Sequence, residues 1–312
     1  MVSIQEIIRS HKRIKKYIHR TAVLTNHSLN YLTGSQLYFK CENFQKAGAF
    51  KIRGATNAVQ QLSKEEIERG VATSSSGNHG AALAMAVSRR GGKVSVVMPD
   101  NSSTKKIDNV KRNGGNIIWC KPFQESREKA LREFVAESGA VAIHPYNDLR
   151  IIAGQGTAAM ELLDEQPELD VIITPLSGGG LLSGTLCAAK NIKSNIKVYG
   201  AEPEEADDAY RSLKANERLA NETTNTICDG LRAQIGEINF PIIKELVDGI
   251  ITLSELEIIN SMRMIFERMK IIVEPSSSIT LAAVIKNRDI FKDKKVGLIL
   301  SGGNVDLNDL PW

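Results

Sequence analysis

The chain has few cysteines, little excess charge and no long apolar run, and each shortage excludes a class of protein. Its 312 residues include only four cysteines, Cys41, Cys120, Cys187 and Cys228, which lie far apart without a CxxC pair. This spacing predicts neither a disulfide framework nor a zinc site, and it indicates a reducing compartment, which we take to be the cytoplasm. The net charge of +4 is small for this length, so we expect neither a nucleic-acid nor a membrane partner. No apolar run is long enough to span a bilayer.

The N-terminal segment combines an apolar stripe with a basic run. Ile4, Ile7 and Ile8 would share one face of a helix, and residues 11–16 add histidine, lysine and arginine. A transit peptide is one interpretation, but Glu6 and the scarcity of serine argue against it. We expect the isoleucine stripe to dock on the body of the protein.

Strand-like and helix-like segments alternate along the rest of the chain. A hydrophobic content of 42% is sufficient for a large core. The alternation predicts an α/β fold whose parallel sheets are covered on both faces, as interleaved lobes or as one lobe inserted in another. The strand-like segments are 36–42, 70–73, 93–99, 116–120, 141–145, 170–176, 197–201 and 296–300, and the helix-like ones are 54–59, 81–90, 103–113, 125–139, 151–165, 181–190, 254–269 and 276–287.

A lysine occupies an unusual place near the start of the chain. Lys51 falls in the first turn of a predicted helix, between the apolar Phe50 and Ile52. The positive end of the helix dipole and apolar surroundings both disfavour an ammonium ion there. The lysine would therefore have a lowered pKa and a free amine of the kind that Schiff-base chemistry requires. A side chain that reaches the surface, as most lysines do, is the alternative.

A glycine-rich loop at 177–180 follows a buried strand and opens a helix. Its N–H groups would converge on an anion, and the helix dipole adds to the attraction, so we expect a phosphate site. A tight turn is the plain alternative. A dinucleotide site is a further one, because the next strand ends in Glu202, but Gly178, Gly180 and Gly184 give GxGxxxG, which is one residue too long. A nicotinamide-dependent enzyme is thus the second interpretation.

Two further polar loops come at strand ends, where ligands collect in open α/β folds. The loop at 74–80 offers hydroxyl and N–H groups that suit a carboxylate, and Asn78 can donate to a phenolate-type oxygen. Capping of the next helix by its serines is the alternative. The loop at 300–304 presents the hydroxyl of Ser301 for a ring nitrogen, or simply permits a turn.

Together these segments resemble the fold-type-II pyridoxal-phosphate enzymes, which share the fold of the tryptophan synthase β subunit. Within that family the chain is most similar to serine racemases and to serine/threonine dehydratases, including hydroxyaspartate dehydratases. The resemblance covers nearly the whole chain, with the motifs in the family's order and spacing. The segments that carry it are FKCENFQKAGAFKIRGATNAV (39–59), SSSGNHG (74–80), IAGQGT (152–157), SGGGLLSG (177–184), AEPEEADDAY (201–210) and LSGGNVDL (300–307).

The resemblance implies two parallel-sheet lobes and a set of site residues. It implies a large cofactor-binding domain at 1–69 and 148–312, a small mobile domain at 70–147, and a homodimer. Pyridoxal 5'-phosphate would be bound through the amine of Lys51. The other cofactor residues it implies are Phe50 against the ring, Asn78 at the 3-hydroxyl, Ser301 at the ring nitrogen, and Ser177, Gly178, Gly179, Gly180 and Leu181 around the phosphate. The substrate residues it implies are Ser75, Ser76, Asn78, His79 and, as a further candidate, Arg127.

The resemblance also implies a metal site in the acidic segment 201–208. Its ligands would be Glu202, the carbonyl of Ala206, and Asp208, and such oxygen ligands suit Mg²⁺, Ca²⁺ or Mn²⁺. Acidic residues at the start of a helix also complement its dipole, which is the alternative.

The reaction implied by the resemblance is an ammonia-lyase (dehydratase) reaction. L-Serine, L-threonine or 3-hydroxyaspartate would give a 2-oxo acid and ammonia, with the amine of Lys51 as the base at the α-carbon. A neutral Ser301 at the ring nitrogen makes a milder electron sink, which favours loss of a β-hydroxyl over a long-lived carbanion. Ser76 lies where racemases place the acid for the opposite face, which permits racemisation without requiring it. Most relatives of this type both eliminate and racemise, so we expect serine racemisation here as well. A chain that is principally a serine racemase is the alternative, and a nicotinamide-dependent oxidoreductase or a non-catalytic cofactor-binding protein is more remote.

Some positions depart from the family pattern. Most positions that bind ATP in animal serine racemases differ in type here, which argues against ATP as an effector. Tyr146 stands where racemases have asparagine and dehydratases often have an aromatic residue, which favours the dehydratases. The chain ends at Trp312, just past the last motif, so we expect neither a regulatory domain nor feedback inhibition by isoleucine.

Overall fold

The strands form two sheets in the computed structural model, which describes residues 1–75, 77–102 and 104–312, apart from the side chains of Lys105 and Gln124. The strands are β1 (Val23–Leu24), β2 (Gln36–Cys41), β3 (Val71–Ser74), β4 (Val94–Pro99), β5 (Gly115–Cys120), β6 (Val141–Ala142), β7 (Val171–Pro175), β8 (Lys197–Pro203), β9 (Gly249–Leu253) and β10 (Lys295–Leu300). The larger sheet has the order β1-β2-β10-β7-β8-β9, in which only β1 is antiparallel to its neighbour among the described strands. The smaller sheet has the order β5-β4-β3-β6 and is parallel.

Helices connect and cover these strands. They are α1 (Ile4–Ile14), α2 (His27–Thr33), α3 (Lys51–Val59), α4 (Lys64–Arg69), α5 (Asn78–Ser88), α6 (Thr104–Arg112), α7 (Gln124–Ser138), α8 (Leu149–Glu165), α9 (Gly180–Ile192), α10 (Asp208–Ala215), α11 (Asn239–Leu246), α12 (Glu255–Met269), α13 (Pro275–Lys286) and α14 (Arg288–Phe291), and the 3-10 helices are Glu42–Phe44, Lys46–Gly48, Glu204–Ala206 and Asp229–Leu231. The predicted α/β class with parallel sheets is confirmed. The smaller sheet lies within 70–147, whereas the domain limits themselves stay a prediction.

The central strands of the larger sheet are apolar because both of their faces are covered. β7 is buried at every position, and β10 is buried from Val296 to Leu300. Parallel strands covered by helices on both faces have this composition. The carboxyl ends of β7 and β10 lead into the glycine-rich loop and the Ser301 loop, respectively.

Helices α3 and α8 cross in backbone contact, which fixes the segment that begins at Lys51. A Cβ atom at Gly154 would lie 2.6 Å from the Cα of Gly54, so a side chain at either position would force the helices apart. The side-chain oxygen of Gln155 accepts a hydrogen bond from the N–H of Gly54 at 3.1 Å. The first turn of α3 is therefore tied to α8.

Two local predictions need correction. The stripe of Ile4, Ile7 and Ile8 does not dock as one face, because Ile8 is 38% exposed while Ile7 and Ile14 are buried. A seven-residue spacing brings Ile7 and Ile14 onto the same side of α1. Helix α5 begins at Asn78, three residues before the predicted start at 81, and its N-cap is Gly77, which has no side chain to cap it.

All four cysteines are free and buried. None of the described helices is long and apolar enough to cross a membrane.

Candidate active site

Lys51 begins α3, and part of its side chain is exposed. Its amine donates a hydrogen bond to the carbonyl of Pro145 at 3.2 Å and lies 5.1 Å from the centre of the Phe50 ring. Burial of the amine lowers the pKa of Lys51 to about 8, although the charge of Glu274 acts in the opposite direction. A lysine with this pKa is about one-tenth neutral at pH 7, so it can act as a nucleophile and as a base.

Three titratable side chains influence or respond to this amine. Burial, and then the charge of Lys51, hold the pKa of the buried His79 well below 6.5. The same two causes lower the pKa of His144. Burial, followed by the charge of Asp229, raises the pKa of Glu274 to about 8. Titratable groups with strongly shifted pKa values cluster at functional sites.

The loop between β7 and α9 has the geometry of an anion site. Among the described residues, none accepts from the N–H groups of Gly178, Gly179, Gly180 and Leu181, which open toward the start of α9. Gly179 has φ +91°, a conformation that favours glycine. A Cβ atom at Gly178 would lie 2.4 Å from the ring of Tyr146, so the aromatic ring packs directly on the loop. Free N–H groups at a helix start fit a phosphate.

Side chains brace this loop from outside. The hydroxyl of Ser177 donates to the carbonyl of Ala233 and accepts from its N–H, both at 3.0 Å. The amide of Asn239 donates to the carbonyls of Gly178 at 2.9 Å and Tyr146 at 3.1 Å. Ser177 thus already has backbone partners in the protein.

Ser301 follows β10 and is buried. Its hydroxyl lies 3.2 Å from the hydroxyl of Ser277, and its carbonyl accepts from the N–H of Phe50 at 2.9 Å. This backbone hydrogen bond ties the residue before Lys51 to the end of the last strand. Phe50 is itself buried.

Asn78 joins the smaller sheet to the larger one. Its amide donates to the two carboxylate oxygens of Glu274 at 2.9 and 3.2 Å. Its oxygen accepts from the side chain of Asn304 at 2.8 Å. The side chain of Asn78 is therefore held in one orientation by two residues from the larger sheet's side of the molecule. Ser75 lies partly buried in the same loop, and Ser76 lies outside the described residues.

Arg127 lies on α7 and is partly buried. Among the described residues, its buried Nε has no hydrogen-bond partner. Its charge lowers the pKa of Tyr146, against a larger rise from burial. Arg127 thus has a buried donor without a partner among the described residues, and its charge acts on Tyr146.

Two buried carboxylates mark the predicted metal site. Glu202 lies near the end of β8, and Asp208 is the first residue of α10. Glu202 accepts a hydrogen bond from the N–H of Tyr210 at 2.6 Å, and Asp208 accepts one from the N–H of Ile235 at 2.7 Å. Burial, and next the charge of Asp208, raise the pKa of Glu202 well above its usual value, and burial raises the pKa of Asp208 to about 6. Within the described part of the chain, Glu202 Oε2 is buried without a donor, and Ala206 is buried nearby in sequence.

These carboxylates fit a cation, because a buried carboxylate oxygen without a donor lacks the partner that such a group needs. The described residues contain no group of three or more histidine, cysteine, aspartate or glutamate side chains that would hold a metal, so backbone oxygen would have to complete the site.

Three residues of the site, His144, Glu274 and Asn304, were not predicted from the sequence. Glu274 precedes Pro275 and the buried start of α13, and this was the only local signal that its carboxylate is buried. Asn304 ended a motif that we had already singled out. His144 comes two residues after the end of β6, and ligand-binding residues of open α/β folds lie at the carboxyl ends of strands.

Comparison with known proteins assigns the family. The sequence model described as "Pyridoxal-phosphate dependent enzyme" matches residues 14–302. The chain belongs to this family of pyridoxal-phosphate-dependent enzymes. The assignment confirms the resemblance inferred from the motifs, and it decides between the cofactors considered above in favour of pyridoxal phosphate.

Individual relatives and a solved structure agree with this assignment. A serine racemase from Arabidopsis thaliana is 50% identical, with 98% of this chain and 94% of that protein covered. A beta-hydroxyaspartate dehydratase from Paracoccus denitrificans is 46% identical, with 99% and 98% covered. The solved structure of maize serine racemase superposes with a TM-score of 0.96 at 45% identity, covering 98% of this chain and 95% of that one. The fold-type-II architecture is therefore confirmed.

Proposed function

We propose that the protein is a pyridoxal-phosphate-dependent ammonia-lyase that converts L-serine, L-threonine or 3-hydroxyaspartate to a 2-oxo acid and ammonia, with serine racemisation as a second activity. The observation that carries the proposal is the amine of Lys51, whose pKa is about 8, at the start of a helix in a family of pyridoxal-phosphate enzymes. When bound, pyridoxal phosphate supplies an electron sink for negative charge at the substrate α-carbon.

Lys51 has two tasks in this proposal. Its amine would hold the cofactor covalently, and as a free amine it would take or return the proton at the substrate α-carbon. The lowered pKa keeps a usable neutral fraction near pH 7. His79 is neutral beside the amine at that pH, whereas Glu274 titrates in the same range as the amine and its charge acts to raise the pKa of Lys51.

The loops around Lys51 hold the cofactor. The N–H groups of Gly178, Gly179, Gly180 and Leu181 would bind its phosphate, and Ser177 braces that loop through Ala233. Ser301 would be the neutral partner of the ring nitrogen, and Phe50 would pack beside the ring. Asn78, which Glu274 and Asn304 hold in one orientation, would contact the 3-hydroxyl.

The loop at 75–79 binds the substrate carboxylate. Hydroxyl groups of Ser75 and Ser76 and the N–H groups of Asn78 and His79 are the donors, since the ring of His79 is buried. Arg127 is a further donor, and its Nε has no partner among the described residues.

A divalent cation binds Glu202, the carbonyl of Ala206, and Asp208 in this proposal. Mg²⁺ is the first choice, with Ca²⁺ and Mn²⁺ as others, because hard oxygen ligands suit all three. The unpartnered oxygen of Glu202 supports it. Mg²⁺ should raise the melting temperature of the wild type and leave that of Glu202→Gln unchanged; equal responses would refute the site.

Serine racemisation as the principal activity is the second candidate. Relatives called serine racemases, such as the one from Dictyostelium discoideum at 50% identity, favour it. Ser76→Ala should then abolish D-serine formation and spare pyruvate formation. Equal loss of both products would refute a separate role for Ser76.

The assembly and the domain limits belong to the same proposal. We expect a cytoplasmic homodimer without ATP activation, with a small mobile domain at 70–147 between the two parts, 1–69 and 148–312, of the large domain. Light scattering of the purified protein measures the dimer directly.

A panel assay tests the proposed function. Release of 2-oxo acid is measured with serine, threonine and both diastereomers of 3-hydroxyaspartate, with and without Mg²⁺, and D-serine is measured in parallel. Lys51→Ala should lower all rates by about 10²- to 10⁴-fold or more. The control Lys64→Ala changes a lysine whose side chain is 84% exposed and should behave as the wild type. Cofactor binding without turnover of any substrate would indicate a non-catalytic binding protein instead.

A further inference from the structure

Four buried charged residues surround the first turn of α3, and the proposed function uses none of them. They are Lys40, Glu42, Arg53 and Glu161, which we call the buried quartet. Each is at most 2% exposed. They come from β2, the 3-10 helix after it, α3 and α8. Two positive and two negative side chains make the quartet neutral as a whole.

Arg53 is the centre of the quartet. Its Nε and Nη2 donate to the two oxygens of Glu42, both at 2.7 Å. Its Nη2 and Nη1 donate to the two oxygens of Glu161 at 2.7 and 2.9 Å, and Nη1 also reaches Thr157 at 3.1 Å. Lys40 donates to Glu161 at 2.9 Å. The planar guanidinium thus bridges two carboxylates in a fixed fork.

Arg53 and Glu161 both stay ionised at neutral pH. The charges of Arg53 and Lys40 hold the pKa of Glu161 at about 2, although burial acts to raise it. The carboxylates of Glu42 and Glu161 raise the pKa of Arg53, although burial acts to lower it.

Stability alone does not account for such a cluster. Taking charges out of water costs free energy that offsets most of their attraction, and well-packed apolar side chains of similar volume often stabilise a fold as well. A bidentate network differs from apolar packing because it specifies distances and directions. The contribution that apolar residues would not replace is therefore the position of the elements it joins.

The element it fixes is the one that carries Lys51. Arg53 lies two residues after Lys51 in the same helical turn, and the next residue, Gly54, is held against α8. A shift of this turn would move the amine away from the carbonyl of Pro145. The charge that acts on the pKa of Lys51 is that of Glu274, so the quartet reaches the amine through the backbone.

We propose that Arg53 is a positioning residue for the reaction, which bridges Glu42 and Glu161 and so fixes the first turn of α3 and the amine of Lys51 in the site. The inference rests on the proposed function in taking Lys51 as the cofactor lysine.

Two variants and a control test this role. Arg53→Lys keeps the charge, but a single ammonium cannot bridge both carboxylates bidentately. Lys40→Met with Glu161→Gln removes one charge of each sign and keeps the pair of Arg53 and Glu42. Lys190→Met with Asp248→Asn is the control, which removes an ion pair of 2.6 Å outside the site.

The decisive readout is the pKa of Lys51 in the full-length apoprotein, from NMR of ¹³C-methylated lysines, which needs neither cofactor nor turnover. The groups that face the amine, Glu274, His79 and His144, are the same in every form. We expect Arg53→Lys and the double variant to raise the titration midpoint of Lys51 from about 8 by at least about 0.5 pH unit. The reason is that the amine leaves the buried position that lowers its pKa. Uptake of pyridoxal phosphate should slow, and kcat should fall about 10- to 100-fold with KM within about twofold.

A folded Arg53→Lys protein with the Lys51 midpoint and uptake rate of the control would overturn the proposal. If neither quartet variant folds while the control does, the quartet serves the fold itself, and the positioning role is likewise overturned. Absence of turnover in a wild type whose Lys51 midpoint responds to the quartet would refute the proposed function and leave the positioning role standing.

Discussion

Glu161 and Glu274 are both buried carboxylates near the Lys51 segment, yet their pKa values move in opposite directions. Burial acts to raise both. Glu161 meets Arg53 and Lys40, whose charges hold its pKa at about 2. Glu274 meets the amide of Asn78 and the N–H of Asn304, and its pKa rises to about 8. The hydrogen-bond and charge partners, more than burial, decide whether the carboxylate is ionised. A carboxylate that stays ionised fits a structural role, whereas one that titrates near neutral pH fits a role in a functional site.

The largest effect should come from breaking the paired carboxylate. Glu161→Ala leaves Arg53 and Lys40 buried without that anion, so we expect a loss of about 3–5 kcal/mol in the free energy of unfolding, measured with urea. The control Asp164→Ala breaks an ion pair whose aspartate is 70% exposed, and it should cost at most about 1 kcal/mol. Similar losses in the two variants would remove the distinction drawn for Glu161.

The unpaired carboxylate should show itself in the pH dependence of stability. The pKa of Glu274 is about 8 in the folded protein, against the ordinary glutamate value of 4.5, so the folded state binds the proton more tightly. Its contribution is fully present below pH 4.5 and is lost as the pH rises through about 8. Between pH 5 and 9, Glu274→Gln should therefore gain about 2 kcal/mol on the wild type, well below the roughly 5 kcal/mol that the full displacement allows.

The contribution of Glu161 to stability depends on pH in the opposite direction, because its pKa in the folded protein is lowered to about 2. Its contribution is present above the unfolded value and is lost as the pH falls toward 2. Glu161→Gln should therefore approach the wild type in acid, whereas Glu274→Gln departs from it in alkali. Parallel curves for the two variants would contradict the comparison.

The smallest effect should come from the charges around Glu274. Asp229 raises the pKa of Glu274 and Lys106 lowers it, and the two side chains form an ion pair of 2.8 Å. Asp229→Asn should shift the alkaline loss of stability down by about 0.5 pH unit, and Lys106→Met should shift it up by a similar amount, because both charges are partly screened by solvent. Shifts of the same sign would show that these charges do not act on Glu274.

Features encoded by neighbouring residues were predictable from the sequence. The buried runs of β7 and β10, the place of Lys51 at a helix start and the glycine loop at 177–180 each depend on a few adjacent residues. The N-terminal helix was predictable as a helix, but the face that it buries depends on α8 and α9, so Ile8 was misplaced.

Features that join distant segments were not predictable from pattern alone. Asn78 meets Glu274 across 196 residues and Asn304 across 226. Ser177 uses its hydroxyl on Ala233, 56 residues away. No local period reports such pairs, because they exist only once distant segments of the chain have folded together.

The central claim is that Lys51 carries the cofactor, and borohydride reduction of the holoprotein followed by peptide mapping tests it most directly. Reduction should fix one pyridoxyl group per chain on the peptide that contains Lys51, with loss of activity in proportion. A label on any other lysine, or none, would contradict the account.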